Sequence, residues 1–330
     1  MRITKPSYFD SFTCLAGNCP DSCCKEWDVQ VDETSAAFYR SLPGALGDRL
    51  RQVMYTEDGE VYLAIEDRRC PMWREDGLCR IQAELGHDAL CKTCREFPRL
   101  THDYGDFIEM GLELSCPEAA RLILSFGNES TVTEDVSGGE PPEYDTDAMA
   151  VLLRTRETAL AILRNDAYIP NEALAQLLYY GYQAQGELDG EPEADFAPVN
   201  WDTIGFTSAD TSEFFAFFQN LEILTPQWQE RLSYPAIPGQ WEENFRNLAC
   251  YFVERYWLQA VSDYDLVCRV KLAVISCLAI HFLGGDLAET AQIYSKEIEN
   301  SANNIDALLD AAYTCPVFTD QNLLGLLLNV

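Results

Sequence analysis

Apolar residues in DAMAVLLRTRETALAILRND (147–166) return every three or four positions, the spacing that puts one greasy stripe on an α-helix. NEALAQLLYYGYQAQ (171–185) repeats the pattern, with Asn171 placed to cap its first turn. The same period predicts helices over 208–224, 241–260, 264–283, 286–302 and 304–313. Short connections between the last of these favour antiparallel neighbours in a bundle. The most apolar stretch, VKLAVISCLAIHFLGG, contains Lys271 and His281 and reads as a buried helix. No run of about 18 uncharged apolar residues is present to span a bilayer.

Before residue 127 the pattern changes. EVYLAIED (60–67) alternates and reads as a strand, and DYGDFIEMGLELSC (103–116) reads as a turn and a strand. PEAARLILSF (117–126) opens with proline and continues with helix formers, so it reads as a helix. Two acidic stretches rich in Gly and Pro, 127–147 and 185–200, read as a linker or long loop and a second loop.

Charge adds a constraint. The net charge is −31. Residues 1–126 hold 14 basic and 22 acidic side chains, a net of −8; residues 127–330 hold 9 and 32, a net of −23. Such a field repels nucleic acid and anionic membrane and attracts a basic protein segment; it also serves solubility. The N-terminal stretch MRITKPSYFDSFTC lacks the apolar core of a signal peptide, so a cytoplasmic protein is expected.

In a reducing compartment the cysteines change the picture most. There are 13, nine of them before residue 117. Cys14, Cys19, Cys23 and Cys24 form one block; Cys70, Cys79 and the C-x-x-C pair Cys91 and Cys94 form a second; Cys116 follows. A C-x-x-C pair chelates one metal from a single turn, and two such blocks can meet around one centre. Zinc and an iron–sulfur cluster both accept thiolates, and spacing leaves the two open. His87 and His102 are too far apart for the paired histidines of a zinc finger. Cys250, Cys268, Cys277 and Cys315 sit in apolar helical contexts and read as core residues, while Cys116 fits either role. The expected architecture is therefore mainly α: a cysteine-rich, metal-stabilised module with a few short β-strands over 1–126, a linker over 127–147, and an α-helical bundle domain over 148–330.

The chain carries no P-loop, no G-x-S-x-G, no H-E-x-x-H, no dinucleotide-binding glycine loop after a strand and no C-x-x-x-C-x-x-C radical loop. Cys14, Cys19, Cys23, Cys24 and Trp27, then CPMWREDGLCRIQAELGHDALCKTCREFPR, then LELSCPEAARLIL, resemble the flagellin lysine-N-methylase family. The Cys70-Pro71, Gly77-x-Cys79-x-Ile81 and Cys94-Arg95-x-Phe97-Pro98 progression is shared with the wider zinc/iron-chelating family of C-x-x-C-x-x-C-C proteins. YFVERYWLQAVSDYDLVCRVKLAVISCLAI and IYSKEIENSANNIDALLDA resemble the helical half of the methylases. The resemblance implies methyl transfer from S-adenosylmethionine to lysines of flagellin or another lysine-rich protein, with a 4Fe-4S cluster on cysteine. It makes Cys19, Cys23, Cys91 and Cys94 the leading ligands, followed by Cys14, Cys24, Cys70 and Cys79. The family carries an arginine and a histidine where this chain has Lys296 and Asn300. A non-catalytic zinc- or iron-binding module is the alternative.

Methylating lysine requires loss of its ammonium proton, so the site needs a base or a desolvated pocket. Glu297, Glu299, Tyr294, Asp103 and Tyr104 are candidates; each also reads as a helix face, a cap or core. His281, among Leu278, Ile280 and Leu283, reads as a buried histidine, and Trp27 as a shield for the metal or ordinary packing.

Overall fold

The computed structural model describes residues 1–25, 29–126, 131–205, 211–235 and 239–328, and of Asp202 the backbone alone. Strand β1 (Arg2–Pro6) opens the chain. β2 (Val29–Val31), helices α1 (Glu33–Ser41) and α2 (Gly44–Val53), the hairpin β3 (Met54–Glu57) and β4 (Glu60–Leu63), and short helices α3 (Arg80–Leu85) and α4 (Lys92–Glu96) follow. β5 (Arg99–Asp103) and β6 (Phe107–Leu112) lead into α5 (Pro117–Phe126), and then comes β7 (Thr131–Asp135). The remainder is helical: α6 (Thr146–Leu163), α7 (Pro170–Leu188), α8 (Thr211–Gln219), α9 (Pro226–Ser233) and α10 (Phe245–Tyr256). α11 (Leu266–Leu283), α12 (Leu287–Ile298), α13 (Ala302–Thr314) and α14 (Asp320–Leu328) complete it. The protein is mainly α, as its periodicity predicts.

Two sheets divide the strands. One runs β5-β6-β1-β7, with β1 parallel to β6 (Ile3 opposite Ile108) and antiparallel to β7 (Ile3 opposite Glu134). The other runs β2-β4-β3, all antiparallel. The acidic stretch 127–147 thus contributes an edge strand, Thr131–Asp135, fully exposed and acidic enough to discourage further pairing.

Two hydrophobic cores underlie this layout. The larger unites Tyr8, Phe9 and Phe12, residues of β6, and the helices from α5 to α14. The smaller holds only thirteen buried residues, Val29 to Cys91, and two of them are cysteines. A core that size is marginal for a lobe of some sixty residues, and proteins in that position recruit metals or cross-links.

α11 runs through the middle of the larger core, and every one of its 18 residues is buried. By length and composition it would cross a bilayer, yet other helices cover it completely. α7 approaches it closely at Gly181, where a Cβ would lie 2.8 Å from Val270 Cγ1. Lys271 is buried, and its Nζ donates to Ala312 O (3.0 Å) and Phe318 O (3.1 Å) and pairs with Asp320 (2.9 Å). Lys271→Met strands both carbonyls, and urea unfolding is expected to show a loss of about 2–3 kcal/mol.

Among the described residues four aspartates cap helix N-termini, Asp32 on α1 among them. Asp145, Asp265 and Asp286 accept from the first amides of α6, α11 and α12. Asn171 is not a cap: Ile169 holds that position before Pro170, and Glu172 accepts from the Ile169 amide at 3.1 Å. Asn171 instead donates from inside the core to Leu327 O at 2.9 Å.

Candidate functional site

The backbone of the small lobe brings the two cysteine blocks together. Cys70 N donates to Cys24 O at 2.8 Å, and Arg80 N to Met72 O at 2.7 Å. Cys79 caps α3 and Cys91 caps α4, so both thiols stand at helix N-termini, where amides and the helix dipole favour a thiolate. Asp32 fixes α4 by accepting from Lys92 N (2.8 Å) while capping α1 through Ser35 N (2.9 Å). The Lys92 amide, outweighing burial, holds the Asp32 carboxyl down at about 2.

Six thiols form a knot. Cys94 hydrogen-bonds Cys91, which pulls Cys91 down to about 7 and pushes Cys94 up. Cys23 hydrogen-bonds Cys24, and Cys24 in turn Cys70; the Cys24 contact lowers Cys70. Cys24 itself sits at about 12: the Cys23 hydrogen bond favours its thiolate, but the Cys70 contact and burial outweigh it. Cys79 lies within electrostatic reach of Cys23, Cys24 and Cys91, and burial raises it. Cys19 lies within electrostatic reach of Cys14 and Cys23, and Cys116 within reach of Cys19 and Cys23, so these thiols adjoin the knot. Cys250, Cys268 and Cys277 are buried in helices. Among the described residues no three His, Cys, Asp or Glu side chains converge as a ready single-ion site. The donor set, six sulfurs of which two are already drawn toward thiolate, fits a soft thiolate-bound metal centre.

The first cysteine loop docks onto the helical body through Asp21. Its Oδ2 accepts from Lys296 Nζ (2.8 Å) and Gln292 Nε2 (2.9 Å) of α12, and Oδ1 from Lys25 Nζ (3.4 Å). Burial alone would raise Asp21; the Lys296 cation outweighs it and holds the carboxyl below the usual range. Gln292 Nε2 also donates to Ser115 O at 2.9 Å, stitching loop, strand end and helix together.

This junction leaves a cavity of about 230 Å³ lined by Cys23, Lys25, Glu113, Ser115, Lys296 and Asn300, with Ser22, Phe97, Leu224 and Thr225. Cys23 of the knot therefore faces the same space as Lys296 and Asn300, two of the places where the sequence departs from the family resemblance. Glu113 is raised by burial, against the pull of Arg255 and of the nearby Ser115 and Asn300, and Glu299 pushes it further up. Sequence reading missed Glu113 because, in LELS, it looks like one polar step of a strand. The structure puts it just past the end of β6, its amide on Pro98 O at 2.8 Å.

The acids and phenols named from sequence fall elsewhere. Glu299 is buried behind the cavity, accepting from Tyr256 (2.8 Å) and Tyr251 (3.2 Å) and paired with Arg255 (3.2 Å). Glu297 is buried and accepts from Leu224 N at 2.8 Å. Tyr294 shares a 2.7 Å hydrogen bond with Ser276 in the core. Asp103 closes a turn on Gly105 N (2.9 Å), and Tyr104 stacks on Phe107. His281 is a core residue stacked 4.0 Å from Trp241, and burial lowers it to about 4. Trp27 lies outside the described residues; Trp73, beside the knot, carries Lys25 and Arg69 over its ring.

A second cavity, about 250 Å³, opens between β1, β5, β6 and helices α6 and α10. Burial raises Glu254 there to about 8, against Arg164 and Arg156. The folded protein then keeps a proton up to about pH 8 that the unfolded chain gives up near ~4.3. Across that window the unfolded state binds fewer protons, so stability falls as pH rises. Glu254→Gln is expected to remove this slope, about 1.4 kcal/mol per pH unit, in denaturation series from pH 5 to 8.

Known proteins give the family. The chain is 34% identical over 132 residues to the flagellar biosynthetic protein FliU of Salmonella muenchen, covering 78% of that protein and 38% of this chain. It is 33% identical over 132 residues to the lysine-N-methylases of Salmonella typhimurium and Salmonella choleraesuis, a match spanning 33% of their length. No family model and no solved structure matches. The similarity to these relatives identifies the chain as a member of the flagellin lysine-methylase family.

Proposed function

We propose that the protein is an S-adenosylmethionine-dependent lysine N-methyltransferase acting in the cytoplasm on flagellin or another lysine-rich protein. The names of its relatives support the reaction class. The observation that carries the site is the shared cavity: Cys23 of the thiol knot, Glu113, Lys296 and Asn300 face one another across it. The target lysine enters this cavity. Two lysines, Lys25 and Lys296, line the same space and disfavour a third ammonium, which drives the incoming side chain toward its neutral, nucleophilic form. Glu113 accepts the proton. A carbon–nitrogen bond forms as the carbon–sulfur bond of the donor breaks, and that electron pair returns to sulfur. Asn300 cannot accept a proton at neutral pH, so in this chain the base is Glu113.

A 4Fe-4S cluster fits the knot, on four of Cys23, Cys24, Cys70, Cys79, Cys91 and Cys94. When bound it supplies a one-electron centre and a cross-link for a lobe with little core. Cys19, next to Cys23, and Cys14 remain candidate ligands beside these six. The acidic surface suits a basic protein partner and disfavours nucleic acid or membrane.

Transfer of labelled methyl groups from S-adenosylmethionine to purified flagellin, mapped by peptide mass spectrometry, tests the reading. Methyl-lysine supports it. A metal-loaded protein that labels neither flagellin nor other lysine-rich proteins is instead a non-catalytic zinc- or iron-binding module.

A further inference from the structure

The outer face of the helical body carries tyrosines at positions that ordinarily hold charged residues. Of the 19 residues of α7, the exposed ones are Tyr179 and Tyr182, 47% and 45% exposed and one turn apart on the same side. Tyr313, at the end of α13, is 58% exposed and within electrostatic reach of Tyr182. Tyr182 donates its hydroxyl to Asp320 (2.9 Å) and Tyr313 to Asp265 (2.5 Å), while Tyr179 meets Trp201 edge-on, ring centroids 6.5 Å apart. The rings are held in place before anything binds, which lowers the entropy cost of a contact.

Charge says what would sit there. No lysine, arginine or histidine occurs between Arg164 and Arg231, and none follows Lys296, so α7, α13 and α14 carry no cation. Along α13, Asn303, Asp306, Asp310 and Tyr313 recur at three and four positions and are all exposed, a single stripe leading from beside Asn300 to the tyrosines. Fixed aromatic faces beside carboxylates favour an ammonium on a long apolar stem. We propose that Tyr179, Tyr182 and Tyr313, with Asp306 and Asp310, dock a lysine-rich segment of the protein substrate. As a substrate dock it rests on the methyltransferase reading. The 13 residues of α13 rise about 20 Å, a distance that roughly six extended residues span. The docked segment and the lysine that enters the cavity beside Asn300 are therefore different parts of one substrate chain.

Fluorescence anisotropy of a labelled peptide of alternating lysine and serine, titrated with the metal-loaded protein at physiological salt, tests this, together with KM and kcat for flagellin methylation. Wild type is expected to bind the peptide. Tyr179→Ala/Tyr182→Ala is expected to bind it about tenfold more weakly, with KM for flagellin raised and kcat kept. Tyr179→Phe/Tyr182→Phe, which keeps both rings, and Tyr234→Ala, at an exposed tyrosine ending α9, are expected to bind like wild type. An alanine pair that binds like wild type and keeps its KM overturns the dock and leaves the methyltransferase standing. A phenylalanine pair as weak as the alanine pair also overturns the dock. Peptide binding that the alanine pair loses, in a protein that methylates nothing, keeps the dock for a basic segment and overturns the methyltransferase. Adsorption to phosphatidylcholine vesicles that the alanine pair loses, with the peptide unbound by wild type, makes this face a lipid contact and overturns the proposal.

Discussion

Replacing Cys91 and Cys94 together by serine is expected to abolish metal binding at the proposed thiolate centre and unfold the lobe around it. The reasoning is energetic. Thirteen buried residues, two of them cysteines, make the small core. A structural thiolate centre contributes on the order of 10 kcal/mol of folding free energy in domains of comparable dependence. Cys91 is also the thiol already drawn to about 7, and it caps α4. Iron, acid-labile sulfide and zinc per chain, measured on protein purified without oxygen, check the first half. Wild type is expected at about four iron and four sulfide, the double variant at background. Limited proteolysis checks the second, with new cuts between residues 29 and 94 while the helical body stays protected. A double variant that keeps its metal would place the centre elsewhere, on Cys14, Cys19, Cys23 and Cys116.

Glu113→Gln is expected to abolish methyl transfer without disturbing the fold. The side chain is half-buried, glutamine has its shape, and removing a carboxylate whose charged form is penalised by burial costs no stability. What disappears is the proton acceptor, so the rate should fall by about 10²–10⁴-fold. The pH dependence follows from the direction of the shift. Below the raised Glu113 pKa the carboxyl is protonated and idle; above it the base is available. Activity of the wild type therefore rises with pH through that pKa and then levels, while the residual rate of Glu113→Gln lacks this limb. Single-turnover rates from pH 5 to 8 check it. Equal rates in variant and wild type would remove Glu113 from the chemistry.

The sequence announced some of this and hid the rest for physical reasons. α5 and α6 were legible because each buries an apolar stripe in the larger core, and α11 because its apolar run is long enough to be buried on every side. β1 was not: RITKP has no hydrophobic signal of its own and exists because residues 107–109 and 131–135 flank it, more than a hundred positions away. α3 and α4 are single-turn helices of six and five residues, too short for periodicity to mark, and α1 and α2 pack on the small core. Asn171 misled because a polar residue before an apolar run looks like a cap. Pro170, which sets the first helical turn, decided the register instead.

At the site, cysteine density was visible, but the partnering was not. Spacing could not say that Cys24 would meet Cys70, since a backbone hydrogen bond between distant loops makes that contact. Lys296 and Asn300 were marked by the family resemblance alone; the structure gives them a place, facing Cys23. Glu113 had no local signal, because its environment is built by Asn300, Ser115 and Arg255 from three separate segments.

The central claim is that lysine methylation takes place in the cavity where Cys23 and Glu113 meet. The most direct measurement is the intact mass of flagellin after incubation with S-adenosylmethionine and either metal-loaded wild type or metal-loaded Glu113→Gln. The account predicts flagellin gaining whole methyl groups with wild type and none over the same time with the variant. Flagellin methylated equally by both proteins would contradict it.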